Sequence, residues 1–211
     1  MRPRRAVKRR IAVVVASVAA ALVALSTLAL HAHKSGPRPV PEDYGPLPDF
    51  SLVDERGDPF TAASLRSHVT IADFIFTRCT SSCPRLTARM AELQRELARV
   101  GSDVRLVSFS VDPENDTPSV LTEYSARVHA DPGRWRFVTG EVDEIMKTVV
   151  LGFKVSAAKV ALGAGEYDVT HGNWFVLVDR AVRLRGYYSS EPSDGVRELV
   201  EDALRVERQR P

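Results

Sequence analysis

The feature of this sequence that most constrains its fold is a strand pattern that passes directly into a helix pattern. Residues 69–76 are mostly apolar, which is typical of a strand in the centre of a sheet. A helix is predicted from Pro84 to a stop at Gly101. Its apolar residues recur at helical spacing, at Leu86, Met90, Leu93 and Leu97. The only two cysteines of the 211-residue chain, Cys79 and Cys83, lie between the two patterns.

Two thiols at a strand-to-helix junction can close a disulfide, relay electrons or hold a thiophilic metal. A permanent structural disulfide is disfavoured because closing so short a loop restricts the unfolded chain little. Cys83 is predicted to be the N-cap of the helix that begins at Pro84. Its sulfur would then face the positive end of the helix macrodipole, which would lower its pKa. Cys79 lies about one turn earlier, close enough to share a metal or a disulfide with Cys83.

The N-terminal segment predicts a membrane anchor. Residues 1–10 contain six arginine or lysine residues and no acidic residue, whereas residues 11–30 contain no charged residue. A helix of that length spans about 30 Å, which matches the hydrocarbon core of a bilayer. We expect the basic tail to stay in the cytoplasm and the rest of the chain to lie on the extracytoplasmic face. A cleaved signal peptide is the alternative, although its apolar core usually spans only about 7–15 residues.

The remainder of the chain predicts one exported domain behind a linker. Residues 31–46 are rich in proline, which favours an extended spacer. Residues 47–211 are enough for one domain with a sizeable core. The formal net charge of +2 does not indicate nucleic-acid binding, because six of the basic residues belong to the N-terminal tail. We therefore expect no nucleic-acid partner.

The order of the patterns predicts a thioredoxin-like α/β fold, with a central mixed sheet flanked by helices and an added N-terminal β-hairpin. The predicted strands are residues 50–53, 59–61, 69–76, 104–111, 135–138, 173–179 and 182–188. The predicted helices are residues 84–100, 117–128, 141–151 and 192–208.

Three motifs, in this order, resemble the Sco/SenC family. The first is Phe74-x-Phe76-Thr77-x-Cys79-x3-Cys83-Pro84. The second is Ser110-Val111-Asp112-Pro113-x2-Asp116-Thr117-Pro118. The third is Thr170-His171 ahead of Phe175-Val176-Leu177-Val178-Asp179. A C-x3-C spacing alone would be a weak signal, but the three motifs together are specific, and the resemblance covers residues 47–208.

Members of that family are membrane-tethered, thioredoxin-fold copper proteins that help to assemble the copper centres of cytochrome oxidase. The resemblance therefore implies that Cys79, Cys83 and His171 bind copper, as Cu(I), Cu(II) or both. Thiolates favour Cu(I), and imidazole suits copper in either oxidation state. The implied partner is the apo form of the copper-site subunit of cytochrome c oxidase, or another copper protein.

An enzyme is the alternative: a thiol-disulfide reductase that keeps the recipient's cysteines reduced, with Cys79 and Cys83 as its redox pair. Redox pairs more often have two intervening residues, and they do not require His171. A peroxidase is a third interpretation, which the close pairing of the only two thiols disfavours.

Two acidic features allow more than one interpretation. Asp73 interrupts an apolar strand, where a lone buried carboxylate is costly. It is either an acid that tunes the nearby thiols or accepts their proton, or a capped polar residue under the loop. The acids of residues 112–116 could suggest calcium, but Pro113 and the lack of a full ligand loop disfavour it. We expect Asp116 or Thr117 to cap the helix at Pro118.

Overall fold

Every residue of the strand Thr70–Ile75 is buried, as its apolar pattern predicts, and this strand lies in the middle of a mixed sheet. The computed structural model describes Ser26 and residues 40–79, 83–163, 166–171, 173–191 and 193–209. The side chains of residues 157–163, 166–171 and 193 lie outside that description.

The strands are β1 (Ser51–Asp54), β2 (Pro59–Thr61), β3 (Thr70–Ile75), β4 (Arg105–Ser110), β5 (Trp135–Thr139), β6 (Ala157–Gly163), β7 (Glu166–His171), β8 (Trp174–Val178) and β9 (Leu184–Ser189). The helices are α1 (Cys83–Arg99), α2 (Pro118–Arg127), α3 (Val142–Met146) and α4 (Ser193–Arg208). A 3-10 turn, Ala62–Leu65, follows β2, and a π-helical segment, Lys147–Gly152, continues α3.

Seven of the described strands form the mixed sheet, in the order β2-β1-β5-β4-β3-β8-β9. The three central strands β3, β4 and β5 are parallel, whereas β1 and β8 run antiparallel to their neighbours. The N-terminal hairpin predicted from the sequence is present as β1 and β2. Because β3 and β4 are parallel, their carboxyl ends meet at one edge of the sheet, where the cysteine loop follows β3 and residues 111–117 follow β4.

The sheet separates two apolar cores, and the side chains of β3 alternate between them. Ala72 and Phe74 lie in one core, together with residues of the N-terminal hairpin and of the π-helical segment. Ile71 and Ile75 lie in the other core, against α1 and α4. The four predicted apolar residues of α1 are all in this second core. Each contributes about 1.5–3 kcal/mol by burial, so packing holds the start of α1 against the sheet.

The sequence prediction missed one hairpin and the π-helical winding at the end of one helix. β6 and β7 form a separate two-stranded sheet that includes His171 at its end, where the prediction placed His171 in a loop. Glycines between two alternating segments could have indicated this hairpin. The helix predicted at residues 141–151 forms as α3 and then widens into π-helical turns.

Residues 41–47 run beside the start of β9. The backbone amides of Tyr44 and Leu47 donate to the carbonyls of Leu184 and Val182, each at 2.9 Å. Apart from Ser26, the predicted anchor at residues 11–30 lies outside the described residues. In the part of the chain that the structure describes, no helix has the length and hydropathy needed to cross a membrane.

Candidate metal centre

The two thiols lie at the carboxyl edge of the sheet, on either side of a short loop. Cys79 follows β3, and its amide donates to the carbonyl of Phe76 at 3.2 Å. Cys83 is the first residue of α1, and its amide donates to the sulfur of Cys79 at 3.4 Å. No disulfide joins Cys79 to Cys83 in this structure. The junction predicted from the sequence therefore brings the two side chains together.

The two thiols differ in exposure. Cys83 is only 1% exposed, and its side chain belongs to the core that contains Phe74, whereas Cys79 is half-buried and packs at the edge of that core. An incoming molecule therefore reaches Cys79 first. The amide of Cys83 at the start of α1 points at the Cys79 sulfur and stabilises negative charge there.

The prediction of a lowered pKa for Cys83 is wrong. Cys83 is the first helical residue rather than the N-cap, and burial raises the pKa of its thiol above the usual range. The neighbouring Cys79 and Asp73 raise the pKa of Cys83 further. Desolvation of the thiolate therefore outweighs the favourable field of the helix end. A metal that binds Cys83 must displace a strongly held proton.

Asp116 holds the start of the cysteine loop in place. It is fully buried, and its carboxylate accepts hydrogen bonds from the Thr77 hydroxyl at 2.5 Å and from the Thr77 amide at 3.1 Å. The Ser110 hydroxyl donates to the same carboxylate at 2.6 Å. Thr117, not Asp116, caps α2, since its side chain accepts from the amide of Val120. Sequence reasoning missed this role of Asp116, because Thr77 is 39 residues away.

The neighbouring acid, Asp112, also accepts hydrogen bonds from side chains of the protein. Its carboxylate accepts from the Arg78 guanidinium at 3.3 Å and from the Asn115 side chain at 3.0 Å. Arg78 directly precedes Cys79, so this ion pair adds a second attachment for the loop. The acidic segment at residues 112–116 is thus structural, as the sequence favoured, rather than a calcium site.

Asp73 lies below the loop in the sheet and is completely buried. The Ser108 hydroxyl donates to its Oδ1 at 2.5 Å, and the Trp135 indole donates to Ser108 at 2.9 Å. Within the described residues its Oδ2 has no hydrogen-bond partner. Burial raises the pKa of Asp73 to about 7. The carboxyl also acts electrostatically on Cys83, so both interpretations made from the sequence hold in part: Asp73 is anchored by Ser108 and tunes a thiol.

The third predicted ligand, His171, is described only in its backbone. It is the last residue of β7 and pairs with Ala157 of β6, and its side chain lies outside the described residues. Among the side chains that are described, no three His, Cys, Asp or Glu residues converge as a metal site. The donors that are in place, two adjacent thiols, suit a soft metal such as Cu(I). The role of His171 stays a prediction.

Comparison with solved structures defines the class of protein. The fold matches BsSco, a member of the Sco family of cytochrome c oxidase assembly proteins in which a disulfide switch was identified. That match has a TM-score of 0.69 and 32% identity, and it covers 81% of this chain and 97% of BsSco. The copper-bound structure of Bradyrhizobium japonicum ScoI matches with a TM-score of 0.66 and 28% identity, over 76% of this chain and 99% of that one. The predicted thioredoxin-like fold is confirmed.

Sequence comparison then gives the family. The SCO1 protein homolog of Bacillus subtilis is 39% identical over 130 residues, which are 61% of this chain. The alignment spans 66% of that relative, just under two thirds of its length. The model of the SCO1/SenC family matches residues 42–205. The chain belongs to the SCO1/SenC family, as the three sequence motifs predict.

The raised pKa of Asp73 predicts a specific pH dependence of stability. Between the ordinary carboxyl pKa of about 4 and the raised pKa of about 7, the folded protein binds a proton that the unfolded chain has released. Native stability contributed by this group is therefore present at low pH and is lost as the pH rises to about 7. Asp73→Asn keeps an acceptor for Ser108 and cannot ionise. Relative to the wild type, we expect its free energy of unfolding to increase by about 3 kcal/mol between pH 5 and pH 8.

Urea denaturation of both proteins at the two pH values measures this change. Glu96→Gln, which alters an exposed acid of α1, is the matched control for the loss of one negative charge. An equal change in the control, or no pH-dependent difference for Asp73→Asn, would contradict the assignment.

Proposed function

We propose that this protein binds copper with Cys79, Cys83 and His171 and delivers it during the assembly of cytochrome c oxidase. The observation that carries the proposal is the contact between the two cysteines, in which the backbone amide of Cys83 donates to the Cys79 sulfur at 3.4 Å. The chain's membership of the SCO1/SenC family supports it. Among its structural relatives, Bradyrhizobium japonicum ScoI was solved with copper bound, and BsSco belongs to a family of oxidase assembly proteins.

The donor set fits copper as cargo that is taken up and handed on. Two thiolates and one imidazole are soft and borderline ligands, and they leave a coordination position for a ligand of the recipient. Binding must release the proton of Cys83, whose pKa is raised by burial, so copper affinity should increase with pH. The half-buried Cys79 gives the recipient access to the metal. We propose the apo form of the copper-site subunit of the oxidase, or another copper protein, as that recipient.

The test is copper binding by the reduced protein without residues 1–39, which keeps the compact unit Val40–Pro211. It should bind about one copper ion, because both thiolates belong to one site. Cys79→Ser and Cys83→Ser should each abolish tight binding, as should oxidation to the disulfide. Anaerobic titration with a chromogenic Cu(I) competitor measures the stoichiometry. Unchanged tight binding by the double variant Cys79→Ser, Cys83→Ser would contradict the proposed site.

A thiol-disulfide reductase is the second candidate function. The observation in its favour is the asymmetry of the two thiols, one half-buried and one buried behind it. A reductase needs an accessible nucleophilic thiol and a second thiol that resolves the mixed disulfide. The disulfide switch identified in BsSco points the same way. His171 separates the two functions, because copper binding would weaken in His171→Ala whereas a reductase acts through Cys79 and Cys83 alone.

We also propose the domain organisation that the sequence predicts. Residues 1–10 form a basic cytoplasmic tail, residues 11–30 a single transmembrane helix, residues 31–46 a proline-rich linker and residues 47–211 the copper-binding domain. The basic tail and the uncharged segment behind it support this topology. The domain then lies on the extracytoplasmic face.

Protease accessibility of the full-length chain tests the topology. Protease added to spheroplasts should digest the domain, because the basic tail holds the N-terminus in the cytoplasm. Detergent-permeabilised cells provide the control for total cleavage. Full protection in intact spheroplasts would refute the predicted orientation, and a mature soluble protein that begins near His33 would show that the segment is a cleaved signal peptide.

A further inference from the structure

A groove of about 370 Å³ opens beside Cys79, between α1 and the C-terminal end of α2. One wall is a row of small residues on α1, namely Pro84, Ala88 and Ala91, and the other includes Val128. Cys79 and Arg127 both contribute to its lining. The copper site uses only the thiol, so the rest of the groove has no role in the function proposed above.

The floor of the groove is held rigidly. Tyr124 lies in the lining, and its hydroxyl shares a hydrogen bond of 2.8 Å with the buried hydroxyl of Thr87. The phenol is therefore fixed between the two helices, and the groove is preformed rather than opened by its ligand. A preformed apolar groove with one reactive group at its end can orient an incoming side chain relative to that group.

Arg127 supplies a positive charge at this groove. Its guanidinium lies over the Tyr124 ring, 5.2 Å from the centroid, and its side chain is exposed. Within the described part of the chain, no carboxylate lies at salt-bridge distance from Arg127. Two other arginines near the start of α1 differ in this respect, because Arg85 pairs with Glu191 and Arg89 pairs with Glu92. The charge of Arg127 is thus available to a carboxylate of a visiting molecule.

We propose that the groove is the docking site for an acidic, cysteine-containing segment of a partner protein. An apolar side chain of the segment occupies the space beside Ala88 and Ala91, a carboxylate meets Arg127, and the cysteine lies against Cys79. The assignment of this partner as the copper recipient rests on the proposed function. The docking itself does not, because the same contacts orient a partner cysteine for thiol exchange without metal.

Thiol exchange gives a metal-free measurement of docking. The probes are two cysteine peptides of equal length, one with Glu and one with Gln on either side of the cysteine, each as its mixed disulfide with thionitrobenzoate. The Cys79 thiolate attacks the peptide sulfur, a protein–peptide disulfide forms, and the coloured thionitrobenzoate anion leaves with the electron pair. Cys83 then attacks Cys79, loses its proton to solvent, and releases the peptide as a thiol. No other oxidant is needed.

We expect the wild-type protein to react with the Glu peptide about three- to fivefold faster than with the Gln peptide at low ionic strength, as expected for one exposed ion pair. Arg127→Ala should remove this preference, whereas Arg95→Ala, which alters an exposed arginine of α1 outside the groove, should keep it. Ala88→Leu fills the groove with a good helix former and should slow both peptides.

Equal rates for the two peptides in the wild type, or an equal loss of preference in Arg95→Ala, would overturn the proposal. If the mixed disulfide of glutathione, a small acidic thiol, with thionitrobenzoate reacts as fast as the Glu peptide, the occupant is a free thiol and the assignment to a protein segment is wrong. Copper affinity should be the same in Arg127→Ala as in the wild type, since Arg127 is no ligand. If the wild-type protein binds no copper but still prefers the Glu peptide, the proposed function is refuted and the docking proposal stands.

Discussion

The structure of the thiol site depends on the buried carboxylate of Asp116, which accepts hydrogen bonds from the amide and the hydroxyl of Thr77. Asp116 directly precedes Thr117, the cap of α2. Its carboxylate ties this point to Thr77 after the end of β3 and to Ser110 at the end of β4. Burial raises the pKa of Asp116, while the hydrogen bonds from Ser110 and Thr77 oppose that rise, so the buried acid is stabilised by the loop it holds. With the ion pair of Arg78 and Asp112, it fixes the approach to Cys79.

The two thiols differ in accessibility and in acid–base chemistry because their surroundings differ. Cys83 is enclosed by the core, and burial raises its pKa, so it holds its proton until a metal or a disulfide displaces it. Cys79 is accessible, and its sulfur accepts the amide of Cys83 at the start of α1. Exchange with a partner therefore begins at Cys79, next to the groove that leads to Arg127. The proposed copper transfer and its alternative, thiol exchange, would both start from this arrangement.

Sequence reasoning succeeded where a local pattern decides the outcome. The apolar run of β3, the helical stripe of α1 and the cysteines between them were all predictable, because each follows from a period along the chain. The partner of Asp116 was not, since a contact across 39 residues leaves no period to detect. The predicted direction of the Cys83 pKa shift was wrong for a similar reason. The helix end is visible in the sequence, but the depth of burial is set by the packing of both cores.

The central claim is that Cys79, Cys83 and His171 carry copper. The variant His171→Ala tests it most directly, when copper affinity and the reduction potential of the cysteine pair are measured on the same protein. The account predicts that copper affinity falls at least about tenfold, because an imidazole ligand is lost. It predicts a nearly unchanged potential, because both thiols are intact, and failure of oxidase assembly in cells. Unchanged copper affinity would contradict the ligand set. Oxidase assembly that survives the loss of copper binding would contradict copper delivery and favour the reductase.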